Sequence, residues 1–161
     1  MKYQKGVGLM EVIVAMLLLG IAVLGFALLQ YKSLGMGEQA LRKIEAVNIA
    51  RNLSERMYFN RSGTYKDVSS TDTTKCLSLS ADCTANEFAL KDVADVTQLA
   101  KNKNMTVAIL SCPDTKSLRN CIYVAWDETK ASQSNSDAAA CTEADKFKYK
   151  SGAHCIVVEA F

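Results

Sequence analysis

Hydrophobic and polar positions are segregated along this chain. Residues 7–29, VGLMEVIVAMLLLGIAVLGFALL, hold one ionisable side chain, Glu11, whereas the residues beyond are polar to amphipathic. As a helix rising about 1.5 Å per residue, this run spans about 34 Å, enough for a bilayer core of about 30 Å. A cleavable secretory signal has an apolar stretch of only about 7–15 residues and an A-x-A-like end. This run is longer and finishes in Leu28-Leu29-Gln30-Tyr31. Lys2 and Lys5 precede it and Lys32 alone follows closely, so the positive-inside bias predicts a cytoplasmic N-terminus and an extracytoplasmic remainder.

Past the span the apolar period changes. Leu34, Leu41, Ile44, Val47, Ala50, Leu53 and Met57 recur at three or seven, with charged residues between them. This pattern predicts an amphipathic continuation over residues 30–60, so that one helix runs from about Val7 to about Phe59 and docks a head on that stripe. Gly35 and Gly37 weaken it by about 1 kcal/mol each relative to Ala. Asn60-Arg61-Ser62-Gly63 reads as its end, with a glycine cap.

The head is expected over residues 61–161. Residues 69–74 read as loop. Phe88, Val93, Val96 and Leu99 keep helical spacing and predict a short second helix from Asn86 to Lys101. Three β-branched and aromatic runs predict strands: Met105–Leu110, Cys121–Trp126 and Cys155–Ala160. Cys112-Pro113-Asp114 marks a turn between the first two, and Trp126 is expected in the core. Residues 131–140, ASQSNSDAAA, read as a surface loop, and Phe147-Lys148-Tyr149 as a short extra strand. The expected fold class is α+β, a long N-terminal helix packed on a small antiparallel sheet.

All six cysteines, Cys76, Cys83, Cys112, Cys121, Cys141 and Cys155, lie in the C-terminal half. An even count confined to the exported part predicts disulfides in an oxidising compartment. A zinc site is disfavoured because no C-x2-C knuckle occurs. Six cysteines allow 15 pairings. Cys76 and Cys83 are close enough to bridge a small turn, and Cys112 with Cys121 would staple a hairpin.

Composition excludes several chemistries. The one histidine, His154, neighbours Cys155, so a Ser-His-Asp or Cys-His site has no good supply of residues; it reads as a surface or half-buried strand-edge residue. No G-x-x-x-x-G-K-[ST], G-x-G-x-x-G or H-E-x-x-H occurs. No enzyme activity, cofactor or metal is expected. A net charge of +2 argues against nucleic-acid binding by bulk charge. Lys146, Lys148 and Lys150 alternate as along one strand face, a pattern more typical of a solvated edge than of a DNA-binding stripe. DNA stays a minor partner hypothesis.

Glu11 is the anomaly: one reading has it one turn inside the membrane edge, snorkelling toward the cytoplasm, the other has it functional, as ionisable groups inside spans are by default. The residues Lys5-Gly6-Val7-Gly8-Leu9-Met10-Glu11-Val12 resemble the processing motif of type IV prepilins and pseudopilins: a short basic leader ending in Gly, an apolar residue, and Glu at the fifth mature position. Val7 and Gly8 stand where that family favours Phe then Thr. The resemblance implies that residues 1–6 are a leader, that a prepilin peptidase cuts between Gly6 and Val7, and that the Val7 amine is N-methylated. It also implies that Glu11 faces the terminal amine of a neighbouring subunit during assembly and sets axial register. Cleavage would remove Lys2 and Lys5 and bring the formal charge to zero. A long helix on an antiparallel sheet is what this family implies too, and Cys141 with Cys155 occupies the stretch where it often has a disulfide-bounded loop.

The cysteines around Cys-Ile-Tyr-Val-Ala-Trp, with a helix before the sheet, look most like a PilV-type minor pilin. The implied role is that of a minor pilin held in a bacterial inner membrane, head in the periplasm, then carried into a surface pilus to prime or cap it. Twitching motility, adhesion or DNA uptake would follow. Implied partners are other pilins, major and minor, prepilin peptidase and the inner-membrane assembly machinery. A type II secretion pseudopilin is the first alternative; a membrane-tethered adhesin or receptor domain is the second. Asn52-Leu53-Ser54, Asn60-Arg61-Ser62 and Asn104-Met105-Thr106 match a glycosylation pattern that has no meaning in this setting.

Overall fold

A computed structural model of the chain describes residues 8–65, 76, 82–113 and 119–160. Two helices and five strands follow in order: α1 (Leu9–Phe59), α2 (Ala85–Lys101), β1 (Met105–Ser111), β2 (Asn120–Trp126), β3 (Lys130–Gln133), β4 (Ala140–Thr142) and β5 (Cys155–Ala160). The chain divides into two compact units, Met1–Leu41 and Arg42–Phe161. In the first unit every described residue is exposed. The segments at 69–74 and Asp114, expected as loop and turn, lie outside the described residues.

The second unit holds the head. Strands β1, β2 and β5 form an antiparallel sheet in the order β1-β2-β5, with Met105 opposite Trp126 and Val124 opposite Ile156. Alternation along the central strand β2 assigns its two faces. Ile122, Val124 and Trp126 join a core with Ala46, Ile49, Ala50, Leu53 and Met57 of α1 and Ala89, Val93, Val96 and Ala100 of α2. Cys121, Tyr123 and Ala125 face a second cluster with Cys112, Cys141 and Cys155. A strand covered on both faces reads as a continuous apolar run, and CIYVAW is such a run.

Both helices bury part of the expected stripe, Ala50, Leu53 and Met57 on α1 and Val93 and Val96 on α2, but each buried face is shifted toward alanines. On α1 the buried positions are Ala46, Ile49, Ala50, Leu53 and Met57, whereas Leu34, Leu41 and Ile44 are exposed. On α2, Ala89 and Ala100 are buried while Phe88 and Leu99 are largely exposed. Alanines carry little hydrophobic weight in a periodicity count, yet their small side chains allow close packing. α2 starts at a capping box: Thr84 Oγ1 accepts from the Glu87 N–H at 3.3 Å and Glu87 Oε2 accepts from the Thr84 N–H at 2.9 Å.

Gly63 follows α1 but is not a left-handed cap, since its φ is not positive. Its job is steric. A Cβ there would stand 2.7 Å from the Ala85 carbonyl oxygen and 3.0 Å from the Ala89 Cβ, so the absence of a side chain lets the start of α2 come close. Residues 131–140 are not simply a loop either. Their ends belong to β3 and β4, which pair in parallel, and Thr142 in β4 is fully buried. Phe147-Lys148-Tyr149 forms no strand; Tyr149 makes a single antiparallel bridge to Thr142.

Disulfides join Cys76 to Cys83, Cys112 to Cys121, and Cys141 to Cys155. The second closes the β1–β2 hairpin. The third ties β4 to β5 and encloses the segment that carries Tyr149.

Candidate functional site: the exposed start of helix α1

Glu11 lies in the first turn of α1, and its backbone N–H donates to the Gly8 carbonyl at 2.9 Å. A carboxylate in a first helical turn is favoured by the helix dipole. Around it the surface is apolar: Leu9 is 82% exposed and Leu19 69%. Glu11 lines a shallow hollow with Val12, Ala15, Met16 and Leu19, positions that share one helical face at i, i+4 and i+8. Gly6 and Val7 lie outside the described residues. Among the described residues α1 is the helix long and apolar enough to cross a membrane, which fits membrane anchoring.

The head offers polar constellations of another kind. Arg42 Nη1 donates to Asp127 Oδ1 at 3.0 Å, and Asp127 Oδ2 lies 2.7 Å from His154 Nδ1. Asp127 has a positive φ of 55°, tolerated better by Asp and Asn than by most residues, and its carboxylate stands between the Arg42 guanidinium and the His154 ring. His154 stacks on Trp126 with ring centroids 6.1 Å apart, and its N–H donates to Thr129 Oγ1 at 2.8 Å. His154 is thus half-buried just ahead of β5, as expected, and Trp126 is in the core.

Between α1 and α2, Arg56 donates to Asp92 at 2.8 Å and to Asn52 at 2.9 Å. The Tyr65 hydroxyl donates to Asp92 Oδ2 at 2.8 Å. Burial, and next the hydrogen bond to Asp92, push the Tyr65 phenol up to about 12. These groups bind elements together.

The alternating lysines do not form a strand face. Lys148 pairs with Glu143 at 3.0 Å and Lys150 donates to the Asn135 carbonyl at 3.0 Å. The Lys148 hydrogen bond holds the Glu143 carboxyl below its usual range, and that from Lys130 does the same for Asp137. The segment bends at residues 144–147, which breaks the alternation that sequence spacing suggested. Among the described residues no group of three or more His, Cys, Asp or Glu side chains is placed to hold a metal ion.

Sequence spacing missed the Arg42–Asp127–His154 chain and the Tyr149 contact described below, since their partners are 8 to 85 positions apart. An Asp after a strand-ending Trp was the one local hint of a turn.

Comparison with known families adds two adjoining matches. Residues 1–27 match the family described as Prokaryotic N-terminal methylation motif, and residues 28–95 match the family described as Type IV pilin Tt1218. No curated protein and no solved structure matches the chain.

Proposed function

Because the chain is a type IV pilin, we propose that it is a minor pilin of the PilV type, cut between Gly6 and Val7, N-methylated at Val7 and drawn into a pilus through Glu11. The observation that carries this reading is the position of Glu11, the lone carboxylate in the exposed apolar run of residues 8–29, inside the stretch that matches the methylation motif.

The physics of assembly follows from that carboxylate. At helix-centre depth in a bilayer an isolated carboxylate costs roughly 2.5–3.5 kcal/mol on insertion scales. An opposite charge at about 4 Å returns about 4 kcal/mol at an effective dielectric near 20. Cleavage after Gly6 creates such a charge, the Val7 amine of a neighbouring subunit. A subunit at the right stagger has Glu11 paired, and one at a wrong stagger leaves it bare. The apolar surface supplies affinity; Glu11 supplies register. Before assembly the same helix anchors the protein in the inner membrane, with Lys2 and Lys5 in the cytoplasm and the head in the periplasm.

Pilins are structural proteins, and we assign no catalytic role to this one. Its partners are other pilins, the prepilin peptidase and the assembly machinery; priming or capping the fibre would support twitching, adhesion or DNA uptake. The PilV-type assignment rests on the cysteines around CIYVAW and on α2 preceding the sheet.

The test is an intact mass of the native protein with a Gly6→Val comparison. Expected are loss of residues 1–6, gain of one methyl group, and six thiols held as three bridges. Gly6→Val should keep its leader and be missing from sheared surface pili. A leader retained on the unaltered protein in cells with an active prepilin peptidase overturns the reading. Processing without incorporation into pili, accompanied by loss of protein secretion when the gene is deleted, would instead make it a secretion pseudopilin.

A further inference from the structure

β5 is an outer strand of the three-stranded sheet, and among the described residues its strand partner is β2 alone. The hydrogen bonds fix which backbone groups point outward. The Trp126 N–H donates to the His154 carbonyl at 3.0 Å, so His154 and, by the alternation of a strand, Ile156 and Val158 turn their backbone groups toward β2. Cys155, Val157 and Glu159 turn theirs away. The sequence Cys-Ile-Val-Val-Glu-Ala is rich in β-branched residues, and such an edge is a template for another strand.

Among the described residues, Tyr149 covers the middle of this template. The Val157 N–H donates to the Tyr149 hydroxyl at 3.2 Å. Phe147 meets the Tyr149 ring edge-on with centroids 5.7 Å apart. Both rings are about half exposed, at 50% and 43%. The segment is pinned at one end by the Cys141–Cys155 disulfide. It is also held by the Thr142–Tyr149 bridge and by two backbone bonds of 3.0 Å, Glu143 N–H to Lys148 O and Lys150 N–H to Cys141 O. Burial raises the Tyr149 phenol pKa, against the opposing pull of the Val157 hydrogen bond.

We propose that the outer edge of β5 is a strand-addition surface held closed by Tyr149 and Phe147, and that its fitting partner is β5 of a second copy of this chain, running antiparallel. Outward groups at Val157 are self-complementary: about a two-fold axis, its N–H and C=O exchange two bonds with those of the other copy. Antiparallel pairing centred there keeps the two Glu159 carboxylates apart, whereas parallel in-register pairing would place like charges side by side. With Tyr149 in place the N–H is occupied and the ring blocks approach, so the head stays single. The inference is independent of Glu11 and of fibre assembly.

The test uses the full-length protein in detergent. In Tyr149→Phe, which keeps the ring and loses the hydroxyl, amide exchange at Val157 should quicken at least tenfold while that at Ile156 is unchanged. In Tyr149→Ala the protein mass per particle should double relative to the unaltered chain. Adding Val157→Pro, which removes an outward N–H without touching the β2 ladder, should return the mass to its starting value. Unchanged Val157 exchange in Tyr149→Phe overturns the proposal. So does an unchanged particle mass in Tyr149→Ala, or a doubled mass that survives Val157→Pro.

Discussion

Nη1 of Arg56 on α1 lies 2.8 Å from Oδ1 of Asp92 on α2, and the other oxygen of Asp92 accepts the Tyr65 hydroxyl at the same distance. The Asp92 side chain is only 17% exposed, so removing its cation leaves a poorly solvated charge. Arg56→Leu should destabilise the head by about 1–3 kcal/mol, seen in urea unfolding followed by Trp126 fluorescence. Adding Asp92→Leu should recover part of that loss, because the unpaired carboxylate then disappears. Two additive losses would show that the pair does not couple α1 to α2.

The Tyr65 phenol adds a pH dependence. Its pKa rises from 10.0 to about 12 in the folded state, so folding favours the protonated form. The associated stability is fully present below pH 10 and is lost as pH rises from 10 toward about 12. Alkaline unfolding should steepen over that window, and Tyr65→Phe should remove this part of the slope. An identical alkaline profile in the variant would contradict the assignment.

Gly63 is held by contact. Gly63→Ala puts a Cβ 2.7 Å from the Ala85 carbonyl oxygen, a backbone atom at the capped start of α2. The expected loss is about 1–3 kcal/mol, measured as a lowered unfolding midpoint. A neutral substitution would mean that α2 shifts freely.

The Cys141–Cys155 bridge closes a loop with a sequence separation of 14. Replacing both cysteines with alanine should cost about 3 kcal/mol on the chain-entropy account and speed amide exchange at residues 143–150 first. Equal quickening across β1 and β2 would instead indicate loss of the whole head.

Glu11→Gln keeps bulk and removes charge. Incorporation into pili should fall roughly tenfold or more, since a pairing energy of several kcal/mol is withdrawn, while leader removal at Gly6 continues. Quantitative blotting of sheared fibres against membrane-held protein reads this ratio. Undiminished incorporation refutes a role for Glu11 in register.

Much of the element order is legible in the sequence. The end of the long helix at Phe59, the strands at Met105, Cys121 and Cys155, and α2 all emerged within a residue or two of their expected bounds. Long periodic segments state their own type because backbone geometry alone sets the period. The parallel β3–β4 pair was invisible: Lys130–Gln133 and Ala140–Thr142 are only four and three residues long, too short for an alternating pattern to mark them as strands.

The sequence by itself determined the anchor, the lone carboxylate in it, the α+β class and the presence of an oxidised head, since each depends on local composition or on spacing along one element. Tertiary structure alone decided which flank of each apolar helical stripe turned inward. Bulky Ile44, Phe88 and Leu99 were left outside and Ala46, Ala50, Ala89 and Ala100 were taken in, because interhelical distance rewards small side chains that hydropathy undervalues. It also decided that Asp127 would stand between Arg42 and His154, and that Tyr149 would stopper the edge at Val157. Such contacts join positions far apart in the chain, and their energies exist only once the sheet has brought them within bonding distance.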